Sequence, residues 1–509
     1  MTINSTHGWA AYTKWRRFQI NRKSMFIALA LGLGMTMVLM WLLGFSGAGL
    51  QAVHAASYTV CPSGSPACDY SVIQDAVDAA SEGDVIKVAA GTYNDVNNYG
   101  GLAQVVYINK SVTIRGGYTT AFTDRPDPSA NPTTLDAEGQ GRVLYIAGSA
   151  DPTIEGLQVI GGDATGLSLA WGGGVFIDNA AATLNRNLVS GNIADGGGGV
   201  FLYLGEGTFT ANTIISNTSN GGGGGLSINE SVATLYSNTI SGNHAGWGGG
   251  LSTYKADVVI KNNVISSNSV DFWGGGAILT QGDVTFNNNT VSGNVAGSSG
   301  GGLNLDANAA TISRNTIVSN TATDLGGGLF LGNSSDASFI NNLIADNQAD
   351  WQGSGLYIGG SSSSLVHTTI TRNNGGDGSG LHIGSGSTVA MTNTILVSQT
   401  VGLIADPGTT ATLEATLWGS GLWANGDDWQ GGGAIITTDN LWGDPVFVDP
   451  DTGDYHIDAG SAALDKGIDA GVKTDIDFHP RPYLTPDLGS DEYWPPGTLK
   501  FIYQPLVLR

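Results

Sequence analysis

Charge is scarce in this sequence, and positive charge scarcer still. Only 12 per cent of its 509 residues are charged, with 20 lysines and arginines against 43 aspartates and glutamates, for a formal net charge of −23. The first 55 residues hold five of the basic residues and no acidic one, so the rest carries 15 basic against 43 acidic residues, a net charge of −28. Such a surface repels phosphate backbones and anionic lipid, which excludes nucleic acid as a partner and leaves membrane contact to the N-terminal segment. Disorder is excluded too, because the apolar periodicity is intact. What the chain has in excess is glycine, 78 residues of it, placed in runs that suit neither a helix bundle nor an ordinary sandwich.

Those runs are regular. Glycine triplets end at Gly174, Gly199, Gly225, Gly250, Gly276, Gly302 and Gly328, with GSG versions ending at Gly355 and Gly380, in steps of 25 to 27 residues. The motif N-x-[VI]-x-x-N keeps the same register, beginning at Asn187, Asn212, Asn238, Asn263, Asn289, Asn315 and Asn342 and closing on second asparagines from Asn192 to Asn347. At Thr368 the first asparagine is lost while Asn373 keeps the second. A fixed period of this length signals stacked repeats, one coil each.

The coil content selects the solenoid. Apolar residues alternate after each triplet, as in Leu226-Ser227-Ile228 and Leu329-Phe330-Leu331, again before the first asparagine, as in Val284-Thr285-Phe286, and once more after it, at Val291, Ile317 or Ile344. Three short strands per coil and no helix are expected. The L-x-x-L-x-L run of leucine-rich repeats and the G-G-x-G-x-D nonapeptide are both missing. The expected fold is therefore all-β, a right-handed parallel β-helix of 25–27-residue coils with an N-terminal helical cap and a small C-terminal module. The first asparagines then stack into a hydrogen-bonded ladder with a structural role.

Residues 1–55 read as a signal peptide or an uncleaved membrane anchor. Lys14, Arg16, Arg17, Arg22 and Lys23 precede the uncharged run Met25 to Phe45, and Val53-His54-Ala55 offers small residues for cleavage. Either way the chain is expected to be exported, secreted or at the cell surface. An exported chain is expected to join its two cysteines, Cys61 and Cys68, which argues against a free-thiol catalyst. Residues 56–171 supply the cap and first irregular coils, where Val72, Ile73, Ala76, Val77 and Ala80 fall at helical spacing. Residues 172–440 are the regular repeats and final irregular coils, 441–494 a module without the period, and 495–509 a tail.

Several resemblances accompany this reading. IQDAVDAASEGDVIKVAAGTY followed by INKSVTIRGGY resembles the opening of β-helix proteins grouped with pectate lyases and pectin esterases. GGAI at Gly275 to Ile278, with FxxN at Phe209, Phe286 and Phe339, resembles the repeats of polymorphic outer-membrane proteins, which implies a surface adhesin. GDPVFVDPDTGDYHIDAGSAALDKGID, TDIDFHPRP and PDLGSDEY are similar to a choice-of-anchor module.

Chemistry on this scaffold requires side chains stacked on one face. The histidine, arginine and glutamine motifs GHG, RIK and QDTL that the resemblance to β-helix lyases, hydrolases and esterases implies are absent. Lys255 and Asp257, with Asp283 one coil later, form the best catalytic or calcium-binding cluster; calcium is the one cofactor the sequence makes room for, and two loop aspartates neutralised by lysines is the alternative. Asp449, Asp451 and Asp454 invite the same calcium idea, though turn chemistry accounts for them equally. Trp247 and Trp273 directly precede glycine triplets on successive coils, Trp351 sits just before the first GSG, and Asp271, Asp324 and Asp350 lie nearby. With Tyr254 on the first strand, these form a platform for polysaccharide or cell-surface glycans; rings covering glycine-rich corners are the alternative. The reading is a non-catalytic, adhesin-like binder, with a divergent polysaccharide lyase or glycoside hydrolase and a structural spacer as the other possibilities.

Overall fold

Where the sequence turns every five or so residues, the backbone must bend without losing hydrogen bonds, and stacked parallel coils meet that demand. In the computed structural model, which describes residues 55–498 apart from 65, 66, 100, 124, 308 and 333–335, the chain is a parallel β-helix. The N-terminal basic and apolar segment and the tail KFIYQPLVLR lie outside the described residues. Among the described residues, no helix is long and apolar enough to cross a membrane.

One coil shows the plan. Leu226–Asn229 joins a 14-stranded front sheet, Val232–Tyr236 and Thr239–Ser241 join a 27-stranded back sheet, and His244–Trp247 joins a seven-stranded edge sheet. Each strand pairs in parallel with its counterpart one coil on, Leu226 with Leu251, Val232 with Asp257, Thr239 with Val264 and His244 with Ser269. The fourth strand corrects the expectation of three. In other coils it is as short as two residues, such as Ile193–Ala194, and buries only one small side chain, so it leaves no alternating pattern to read.

Inward positions stack in columns. Leu226, Leu251, Ala277 and Leu303 are fully buried on the front sheet and Phe209, Phe286 and Phe339 on the back, each large side chain contributing roughly 1.5–3 kcal/mol. Corners are held by asparagine. The residue before each first asparagine is left-handed, for example Ser237 at φ 55° and Asn262 at φ 59°, a strained state for a side chain. The asparagine that follows compensates: the Asn263 side-chain oxygen accepts from both the backbone N–H and the side-chain amide of Asn238, at 2.8 and 2.9 Å. The same pairing joins Asn187, Asn212, Asn238, Asn263, Asn289, Asn315 and Asn342. A second ladder, to which sequence reasoning assigned no role, runs through the other asparagines from Asn192 to Asn373.

At the N-terminal end, helix α1 (Ile73–Ala79) buries Ile73, Ala76 and Val77 against the first strands, and Cys61 and Cys68 are joined by a disulfide with Cα atoms 6.0 Å apart. The C-terminal module folds back along the solenoid. Phe447, Tyr455, Ile457 and Leu488 pack on Leu343, Ile395 and Leu417 of the back sheet. Arg314 donates to the Asp475 carbonyl at 2.9 Å, and Arg372 pairs with both Asp346 and Asp451, at 3.0 and 2.9 Å.

Candidate functional site: an aromatic groove on the front sheet

The outward face of the front sheet carries a column of rings. Tyr107, Tyr145, Phe176 and Phe201 follow one another on successive coils at centroid separations of 5.4, 5.3 and 5.8 Å, the middle pair stacked and the outer two tilted or edge-on. Phe330, Tyr357 and His382 form a second stack at 5.5 and 5.3 Å. Between the two stacks the column drops to Ser227 and Ser252, then Ile278 and Asn304. Replacing rings by hydroxymethyl groups on adjacent coils leaves a depression.

That depression is a groove of 580 Å³. Its floor includes Ser227 and Ser252, Phe201 and Tyr203 bound one end, and Trp247 and Tyr254 rise at the other. Trp171 lies stacked on Phe201 at 5.3 Å and 10°, so it is both wall and cover. Gly222 permits the arrangement of Trp247: a Cβ there would come within 2.4 Å of the indole nitrogen. Trp247 and Tyr254 each remain 40% exposed, which for large rings on a rigid sheet leaves a face available for contact.

Polar groups line the same groove. Asp195 accepts a hydrogen bond from Asn220 at 2.8 Å, and Glu230 sits in a left-handed turn at φ 49° after Asn229. No lysine, arginine or histidine is among the described lining residues. A second depression of 500 Å³ shares Glu230 and continues past Glu206, Asp257 and Lys255. The Lys255 ammonium lies 4.9 Å from the centre of the Tyr254 ring.

The remaining residues singled out from sequence fall in different places. Asp257 and Asp283 are neighbours across one coil step, where the Asp257 carboxylate accepts the Asp283 backbone N–H at 2.9 Å. No close ion pair joins either to Lys255 or Lys261. Trp273 packs on Phe272 at 5.8 Å and Trp351 is 59% exposed; neither lines the groove. Asp271 lies 3.8 Å from His244, Asp324 accepts from Ser298 at 2.6 Å, and Asp350 accepts from Gln348 at 3.2 Å. Asp195 and Glu230 were not foreseen. For Asp195 a signal exists: it follows buried Ala194 as Asp271 follows buried Val270.

Groups of three potential cation ligands among the described residues occur only in the terminal module, as His456, Asp477 and Asp491, and as Asp475, Asp477 and His479. These side chains are engaged with one another. His456 bonds Asp454 and Asp477, each at 2.5 Å, and the Asp477 bond lifts its pKa to about 10. Burial raises Asp491 to about 6 and Asp487 to about 7. Asp451 and Asp454 of the DPDTGD turn are likewise engaged, with Arg372 and His456.

The comparisons concern the scaffold. The family model described as the right-handed β-helix region matches residues 142–305 and 274–416. Similar solved structures include the pectate lyase Pel9A, 12% identical over 86% of this chain and 96% of that one with a TM-score of 0.37. XylC in complex with xylose is 11% identical over 85% and 98%, with a TM-score of 0.38. The Dettilon tailspike protein gp208 is 15% identical over 75% and 69%, with a TM-score of 0.34. No curated protein sequence matches. With more than half of its length matched and its coils in parallel register throughout that stretch, the chain belongs to the right-handed β-helix family.

Proposed function

We propose that this is an exported β-helix protein, secreted or held at the cell surface, that binds polysaccharide without cleaving it. The observation that carries the reading is the groove itself: rings of Trp247 and Tyr254 facing those of Phe201 and Tyr203 across a serine floor. Pyranose rings present apolar C–H faces that stack on aromatic surfaces, while their hydroxyls donate to carboxylates and exchange hydrogen bonds with amides and serines. Phe201 to Ile278 spans three coil steps, roughly 14 Å at the usual strand spacing, enough for a short run of sugar units. The rings of Phe201 and Tyr203 sit on a strand paired on both sides, which keeps the ordering cost of binding low.

The test is co-sedimentation of the full chain with a panel of insoluble polysaccharides, with mass spectrometry of the supernatant for released sugars. The expected result is retention on at least one polymer, no oligosaccharide release, and loss of retention in W247A. Release of oligosaccharides would instead make the protein a lyase or hydrolase.

A further inference from the structure

The charge around the groove narrows the ligand. We infer that it selects glycans bearing free amines, polymers containing glucosamine units, over neutral sugars and over uronates; the inference rests on the glycan-binding reading above. Two independent kinds of contact converge on an ammonium group here. The first is carboxylate: Asp195 and Glu230 both line the groove, and among the described residues neither is paired with a basic side chain. Asp195 has one neutral donor, Asn220, and Glu230 continues the acidic lining into the adjoining depression beside Glu206 and Asp257.

The second is aromatic. A cation over a ring face is attracted by the ring's quadrupole, and this same face of the protein already uses that contact with its own side chains. The Arg142 guanidinium lies 5.3 Å from the Tyr145 ring and 5.2 Å from Phe176, and Lys255 lies 4.9 Å from Tyr254. Within the groove Tyr254 is already covered by Lys255, whereas among the described residues the rings of Trp247, Tyr203 and Phe201 have no such internal cation. A protonated amine on a sugar stacked there meets ring faces and carboxylates together, and its charge-assisted hydrogen bonds are stronger than those of a hydroxyl. A uronate carboxylate beside Asp195 and Glu230 meets like charge, and Lys255, held over the Tyr254 ring, is not among the described lining residues of the groove.

Because a protein of this net charge attracts any polycation, the test uses short soluble oligomers and a charge control. Binding of the full chain to hexamers of glucosamine, N-acetylglucosamine, glucose and galacturonate, and to pentalysine, is measured by calorimetry at pH 5.5 over a salt series. The glucosamine hexamer is expected to bind about tenfold tighter than its acetylated form, with galacturonate weakest. That preference is expected to fall to near parity in the double variant D195N/E230Q while the neutral hexamer still binds, and to persist in D336N, which removes an exposed carboxylate at the start of a back-sheet strand. Parity in the parent protein, an unchanged preference in the double variant, or a tighter galacturonate complex overturns the inference and leaves glycan binding standing. Pentalysine binding as tightly as the glucosamine hexamer overturns it in favour of a basic peptide. If no sugar hexamer binds and W247A changes nothing, the glycan reading itself fails.

Discussion

Replacing Asn263 by alanine removes one rung from the first ladder, and the structure sets both the size and the reach of the damage. The Asn263 side chain is 1% exposed and makes five hydrogen bonds. Its oxygen accepts from the Asn238 backbone N–H and side-chain amide; its amide donates to the carbonyls of Leu235 and Lys261 and to Asn289. After the change the Asn238 side chain still reaches the Phe209 carbonyl at 2.8 Å, and Asn289 still accepts the residue-263 backbone N–H at 2.8 Å. The Asn238 backbone N–H loses its side-chain acceptor and the Leu235 carbonyl a donor, each costing about 1–3 kcal/mol when buried. The expected local loss is therefore about 2–6 kcal/mol. Hydrogen exchange resolved by residue reads it directly: the Asn238 amide should exchange about a hundredfold faster, since each 1.4 kcal/mol of lost protection is tenfold. Because a solenoid couples nearest neighbours, Asn315, two coils on, should keep its protection. An unchanged Asn238 amide, or acceleration spread evenly along the ladder, would refute the reasoning.

Thr368→Asn should extend the same ladder by one rung beneath Asn342 and raise stability to urea by about 1 kcal/mol; a loss would mean the corner is shaped for threonine. G222V should push Trp247 off the groove wall and weaken glycan binding at least tenfold while far-ultraviolet circular dichroism stays unchanged; unaltered binding would show that the indole's place is immaterial. The terminal module should be held best between about pH 4 and 6. Asp487 and Asp491 rise from 3.8 to about 7 and 6, and His456 from 6.5 to about 10, so all three bind protons more tightly when folded. Their contribution is complete below the unfolded values and fades as pH climbs through the folded ones, whereas Asp477, lowered by His456, loses its share as pH falls below 3.8. Limited proteolysis between residues 444 and 498 should quicken from pH 5 to pH 8; a flat or opposite profile contradicts this. Chelation with EDTA should leave glycan binding unchanged, because the groups of three cation ligands lie in the module and not at the groove; lost binding that calcium restores would overturn it.

The fold was legible because its physics repeats. A 25-to-27-residue spacing of glycine triplets and asparagines leaves few solutions that pair every backbone group, and the parallel β-helix is one. What repeats weakly was not legible. The edge-sheet strands bury one small side chain apiece, Ala194, Ala245 or Ala296, and no alternation can be read from two residues. The second asparagines were plain in the motif, yet nothing in one sequence distinguishes a buried amide ladder from an exposed corner. At the groove, the exposed rings Trp247 and Tyr254 could be picked out, but its floor is marked only by what is missing, two serines where neighbouring coils carry rings. The docking of the module was hidden because Arg314, Asn341 and Arg372 occupy corner positions that solvent fills in other coils; their partners lie more than 75 residues further along the chain.

The division of labour between the two sides of the front sheet has a consequence for how this scaffold acquires binding sites. Inward leucines and the asparagine rungs hold the coils together, and the outward residue of each first strand contributes to neither. A recess can therefore be opened or closed by changing the bulk at one outward position on two successive coils, as Ser227 and Ser252 do against Phe201. Exchanging Phe330 and Tyr357 for serine should open a second recess four coil steps from the first, and exchanging Ser227 and Ser252 for phenylalanine should seal the existing one. Specificity on such a protein is a matter of address along the axis, editable coil by coil without rebuilding what holds it up.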